Sequence, residues 1–142
     1  MQLAREFGAY VIGTGRSADR QAALDFGANA FVDLDHEGLE DVGEVDLVFD
    51  LIGGEIGKRS ARLVGPGGRL VSIVGPAEER PAEGVAIDFV VEADRAQLAG
   101  LAQRVRDGRL TPIVGSVRPL HETPAAFAPD RRSAGKTIIQ VA

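Results

Sequence analysis

Residues 45–75 read Val45-Asp-Leu-Val-Phe-Asp-Leu-Ile-Gly-Gly54, Glu55-Ile-Gly-Lys-Arg-Ser-Ala-Arg-Leu-Val64 and Gly65-Pro-Gly-Gly-Arg-Leu-Val-Ser-Ile-Val-Gly75. Two nearly continuous apolar runs, Asp46–Ile52 and Arg69–Val74, flank a stretch that predicts a helix between Gly54 and Val64, stopped by Gly65-Pro-Gly-Gly68. Strands that are apolar throughout need cover on both faces, and strands separated by helices pair in parallel. The same alternation extends outward. Further strands are predicted at Tyr10–Thr14, Ala30–Val32 and Val85–Val91. Ser17 caps a helix through Phe26 with Gly27 as its stop. Asp94 caps another through Asp107 with Gly108 as its stop, and Leu98, Leu101 and Val105 form its buried stripe. The pattern is that of an α/β protein with a parallel sheet. Gln2–Phe7 followed by Gly8 reads as the last turns of a helix, so the chain is expected to begin inside an element. Pro112, Pro119, Pro124 and Pro129 break up residues 110–135, and a last strand runs over Lys136–Val141.

The composition narrows the chemistry. The chain has 142 residues, 16 Lys+Arg against 21 Asp+Glu, and a net charge of -5. A basic face for nucleic acid is therefore not expected. The absence of Cys excludes a disulfide framework, a thiolate metal site and a cysteine nucleophile, and it fits a cytoplasmic location. Apolar runs are only a handful of residues long and the first residues do not read as a signal peptide, so no membrane partner is expected.

Gly13-Thr-Gly15-Arg-Ser-Ala18 has the spacing G-x-G-x-x-G/A of a dinucleotide fingerprint, with Asp33 or Asp35 about 20 residues on as a ribose acid. The same residues equally suit a plain glycine-rich strand-to-helix turn. Asp33-Leu-Asp-His-Glu-Gly38 with Glu44 approaches a calcium loop. It carries Glu37 and Glu40 at the wrong positions and is flanked by strands, so an acidic solvated loop is expected. Gly135-Lys-Thr137 resembles the end of a P-loop, but Asp130 stands at the first glycine position and a strand follows. His36 and His121 have no second type of metal ligand beside them, and no G-x-S-x-G elbow is present.

Taken together, Gln2–Thr14, Phe26–Asp33, Val45–Gly54, Gly65–Gly75 and Gly135–Ile139 resemble the coenzyme domain of medium-chain dehydrogenases/reductases, and most closely its zinc-independent, quinone-oxidoreductase-like branch. The resemblance implies a Rossmann-like doubly wound parallel sheet lacking its first, central strand and Gly-rich turn. Residues 1–110 are then a partial NAD(P)-binding domain, and residues 111–142 a tail that would return to a missing catalytic domain. It also moves the strand before Gly13 to second place in the sheet. Thr14, Gly15, Arg16 and Ser17 become the loop at the adenosine ribose, which offers a guanidinium and a hydroxyl but no acid of its own, so NADP(H) is the implied cofactor. Ile52, Gly53, Ile73, Val74 and Gly75 would pass the nicotinamide side, and the backbone of Phe89, Val90 and Val91 would hold the carboxamide.

The implied activity is NADPH-dependent reduction of a small-molecule quinone or enone, with no catalytic residue in this chain and no activity from the chain alone. The alternatives are a stand-alone NAD(P)-binding module and a fragment without ligand function. A missing central strand would leave unpaired strand edges, and self-association is expected from them. Metal independence is implied as well. A chelator should leave the melting temperature unchanged, whereas a rise with micromolar zinc or calcium would show the acidic loop or the histidines to be ligands.

Overall fold

The computed structural model describes residues 1–128 and 135–141; Pro129 and Asp130, which enter the readings of the tail and of the P-loop-like motif, lie outside them. Two compact units form, Met1–Ala93 and the residues from Asp94 on. In the first, α1 (Gln2–Glu6), β1 (Ile12–Gly15), α2 (Arg20–Asp25) and β2 (Ala30–Asp33) are followed by β3 (Val45–Asp50), α3 (Gly54–Ala61), β4 (Val64–Ser72) and β5 (Val85–Asp88). The second holds α4 (Arg95–Arg106), β6 (Val114–Pro119), α5 (Thr123–Ala126) and β7 (Lys136–Gln140).

All strand pairs are parallel, as the apolar runs imply. β1 pairs with β2, Ile12 opposite Ala30 and Gly15 opposite Asp33. β3, β4 and β5 form a separate sheet in that order. This is the α/β arrangement of a Rossmann-like unit, with β1 and β3 in different sheets.

Local chemistry explains the joins. α1 ends at Gly8, with φ +83°, and Arg5 reaches the side-chain oxygen of Asn29 at 3.2 Å. Asn29 also accepts the Val11 N–H at 2.8 Å, so one amide oxygen ties α1 and the start of β1 to the start of β2. Ala23, Ala28 and Phe31 form the small core beneath it. In the second sheet, register places Val48, Leu70 and Ala86 on one face, where they pack with Ala61 and Val64 under α3. On the opposite face Phe49 and Ile87 are exposed.

Three expectations need correction. Gly65-Pro-Gly-Gly68 does not separate α3 from its strand: β4 begins at Val64, and the four residues loop out where the register shifts between Val45 and Leu47. A Cβ at Gly68 would lie 3.0 Å from the Asp46 carbonyl oxygen, so the close approach of the two backbones is what requires glycine. β5 ends at Asp88, leaving Phe89–Val91 beyond the ladder. The stripe Leu98, Leu101 and Val105 is exposed, Leu98 to 67%, although Asp94 does cap α4 by accepting the Gln97 N–H at 2.9 Å. Among the described residues the sheet of that unit is the two-stranded β6–β7 pair, which offers little surface to bury a helix face. No helix among the described residues is long and apolar enough to cross a membrane.

Glu40, in the turn after β2, accepts Nε and Nη2 of Arg59 on α3 at 2.6 and 2.7 Å. This pairing first, and a backbone N–H second, pull the Glu40 carboxyl from 4.5 down to about 2. A carboxyl lowered on folding contributes stability that is complete above pH 4.5 and is lost as the pH falls towards 2. Glu40→Gln should therefore melt with a shallower acid decline than wild type between those limits. Parallel melting curves across that range would show the pair to contribute nothing.

Candidate functional site at the strand ends

Asp50 closes β3 and is buried, 8% exposed. Its Oδ1 accepts the N–H groups of Ile52 and Gly53, both at 2.9 Å, which turns the chain sharply from the strand into α3. Gly53 holds φ +70°, and a Cβ there would lie 2.8 Å from Val74 Cγ2, so the turn has no room for a side chain. Gly57, one helical turn on, lets α3 pass the second Asp50 oxygen, which a Cβ would meet at 3.0 Å. Ser72 ends β4 alongside and is buried. Between these ends lies a cavity of about 210 Å³ lined by Asp50, Gly53, Ser72, Val74, Gly75 and Glu79, among others. The rim charges are paired: Lys58 lies 3.2 Å from Glu78, and Arg62 donates to Glu79 at 2.7 and 2.9 Å, which holds the Glu79 carboxyl below its ordinary value.

The end of β1 is built differently. Gly13 and Gly15 lie within the strand without positive φ. Gly13 is small because a Cβ would meet Met1, Ala23 and Phe31 at 3.1–3.3 Å. The tight turn that a fingerprint at Gly13–Ala18 needs is therefore not made there, and that register is corrected: Thr14–Ser17 are a strand end and the loop that follows it. Arg16 donates its backbone N–H to Asp19 at 3.2 Å, and its exposed guanidinium has no partner among the described residues. Ser17 Oγ donates to Oδ2 of Asp33, which is 5% exposed. Asp33 also accepts the Asp35 N–H at 3.1 Å and faces His36 Nδ1 at 3.1 Å. The Ser17 hydroxyl first, then the Asp35 N–H and His36, hold the Asp33 carboxyl below its ordinary range against the opposing effect of burial.

Of the residues singled out from the sequence, Ile52, Gly53, Val74 and Gly75 line one cavity. Ile73 is exposed beside them, and Phe89, Val90 and Val91 are exposed after β5. Thr14–Ser17 stand at the end of the other sheet. All four groups follow the carboxyl ends of parallel strands, where open α/β sheets take their ligands. Two acids escaped the sequence reading of the site: Asp50, and Asp33 as a partner of Ser17. Asp33 could have been found from register, since it stands opposite Gly15 in the parallel pair. Among the described residues no three His, Asp or Glu side chains gather as metal ligands.

Fold and strand ends define a Rossmann-like coenzyme unit of the medium-chain dehydrogenase/reductase type. The sequence model of the zinc-binding dehydrogenase family matches residues 26–139, and the chain belongs to that family. The quinone oxidoreductase from Coxiella burnetii is 22% identical with a TM-score of 0.77, the match covering 99% of this chain and 48% of that one. A thermostable alcohol dehydrogenase from Pyrobaculum aerophilum is 23% identical with a TM-score of 0.76 over 99% and 45%. An NAD-dependent alcohol dehydrogenase is 25% identical with a TM-score of 0.70 over 99% and 46%. The chain thus spans about half the length of these structures. A nicotinamide dinucleotide suits the residues present: the exposed Arg16 guanidinium at the end of β1 has no partner among the described residues, and a cavity opens beside the turn at Gly53.

The turn at Asp50 can be tested directly. Gly53→Ala forces a left-handed backbone and a clash, and should cost at least about 1–2 kcal/mol in urea unfolding. Asp50→Ala should cost about 3 kcal/mol or more through two lost charge-assisted bonds of about 1.5–3 kcal/mol each. A change below about 0.5 kcal/mol for both, the range of an ordinary surface substitution, would show the turn to be unconstrained.

Proposed function

We propose that the chain is the coenzyme-binding portion of an oxidoreductase that uses NADP(H) to reduce a quinone or an enone. The observation that carries this reading is Arg16, an exposed guanidinium at the carboxyl end of β1 that has no partner among the described residues, whereas Arg20, Lys58 and Arg62 are tied into ion pairs. A planar guanidinium matches a ribose phosphate in charge and shape. The quinone oxidoreductase among the structural neighbours supports the substrate class, while the NAD-dependent neighbour makes cofactor choice the point to test.

When bound, the nicotinamide supplies hydride chemistry. Arg16 would hold the adenosine end. The Asp50 turn would offer the bare backbone of Gly53 to the nicotinamide end, and Val74 and the apolar residues after β5 would exclude water there. No residue of this chain is assigned to catalysis. The chain has no Cys, and we infer that it contributes no thiolate ligand to a metal. A small-molecule substrate, a cytoplasmic location and self-association through the free edges of β1 and β3 belong to the same proposal.

Titration of the protein with NADPH and NADH should show a preference for NADPH of roughly tenfold to a hundredfold, the range of one charge-assisted contact. Arg16→Asp should reverse or abolish it. Equal affinities in wild type would overturn the assignment of Arg16.

A further inference from the structure

We infer that Asp33 is a positioning residue that sets which 2′ substituent of the adenosine ribose the loop after β1 accepts, by holding the proton of Ser17. This rests on the proposed reading of Thr14–Ser17 as the ribose loop, and deepens it. A serine hydroxyl has one O–H to donate and two lone pairs to accept with. Ser17 commits its O–H to Asp33 Oδ2, so it turns only lone pairs towards a ligand. Asp33 is buried, its Oδ1 is occupied by the Asp35 N–H, and an ionised carboxylate has no proton to return. A ribose 2′-hydroxyl can donate to such a serine. A 2′-phosphate offers acceptors only: it would meet the lone pairs of Ser17 with a carboxylate directly behind them. Arg16 and Asp33 therefore act in opposite directions, the first drawing in the phosphate and the second limiting how strongly it is preferred.

Asp33→Asn isolates the effect. The Asp35 N–H keeps the amide oxygen at the Oδ1 position, which puts the NH₂ where Oδ2 now faces both Ser17 and His36 Nδ1. The NH₂ then donates to Ser17 Oγ and, with the imidazole as its Nε2–H tautomer, to His36 Nδ1, and the Ser17 proton is released towards the ligand.

The probes are adenosine 2′,5′-bisphosphate and adenosine 5′-monophosphate, titrated calorimetrically into the full chain. Asp33→Asn should raise the affinity ratio of bisphosphate to monophosphate about tenfold, the weight of one hydrogen bond to a charged group. In a Ser17→Ala background the same substitution should leave the ratio unchanged. An unaltered ratio in folded Asp33→Asn overturns the inference, as does an equal rise in the Ser17→Ala background, which would make the effect one of bare charge. Should Asp33→Asn fail to fold, Ser17→Ala alone decides the matter: it should weaken the monophosphate and spare the bisphosphate, and the reverse, or an equal loss of both, overturns the inference. If neither probe binds wild type, the ribose-loop reading itself falls and takes this inference with it.

Discussion

The second sheet depends on a carboxylate that meets no cation among the described residues. Asp50 ends its strand with one oxygen on two successive backbone N–H groups. Those amides, at a part-buried turn, would otherwise have only water as a partner, and each bond to the carboxylate contributes about 1.5–3 kcal/mol. Because the turn is held, α3 starts at Gly54 and runs back over Val48, Leu70 and Ala86, and the core of Ala61, Val64 and Leu70 closes beneath it. The cavity above the strands results from that geometry: the glycines at 53 and 57 that let helix and strand approach the acid also leave space beside it.

Periodic apolar patterns were legible in the sequence because they report burial directly. β3 and the centre of β4 follow from Asp46–Ile52 and Arg69–Val74, whereas Ile52, Gly53, Val74 and Gly75, which line the cavity, were singled out by the family resemblance and not by the pattern. Punctuation was less reliable. Gly65-Pro-Gly-Gly68 has the composition of a terminator yet lies inside a ladder that resumes beyond it. β6 was not visible: Val114-Gly-Ser-Val-Arg-Pro119 is short, lies between Pro112 and Pro119 and offers only a weak alternation, and its pairing with β7 comes from far along the chain. The contact between Ser17 and Asp33 spans 16 positions and exists only because β1 and β2 pair in parallel, so no local motif announces it.

Charge is distributed with similar economy. Arg20 bonds Glu37 and lies 5.2 Å over the Phe31 ring, Arg59 bonds Glu40, and Arg62 bonds Glu79. Exposed pairs of this kind add little to stability. Their larger effect is on the surface potential, since cations neutralised at close range contribute little at a distance. The field near the end of β1 is then set by Arg16 together with the acids beside it, Asp19 and Asp33.

Separation of β1–β2 from β3–β4–β5 gives the backbone an uneven lifetime against solvent. Among the described residues β4 is the strand paired on both sides, and its amides are released only when the sheet itself opens. Those along the outer edges of β1 and β3 need no such opening. The first unit therefore has a slow-exchanging centre at Arg69–Ser72 and fast-exchanging edge strands, among them the two whose ends carry Arg16 and Gly53.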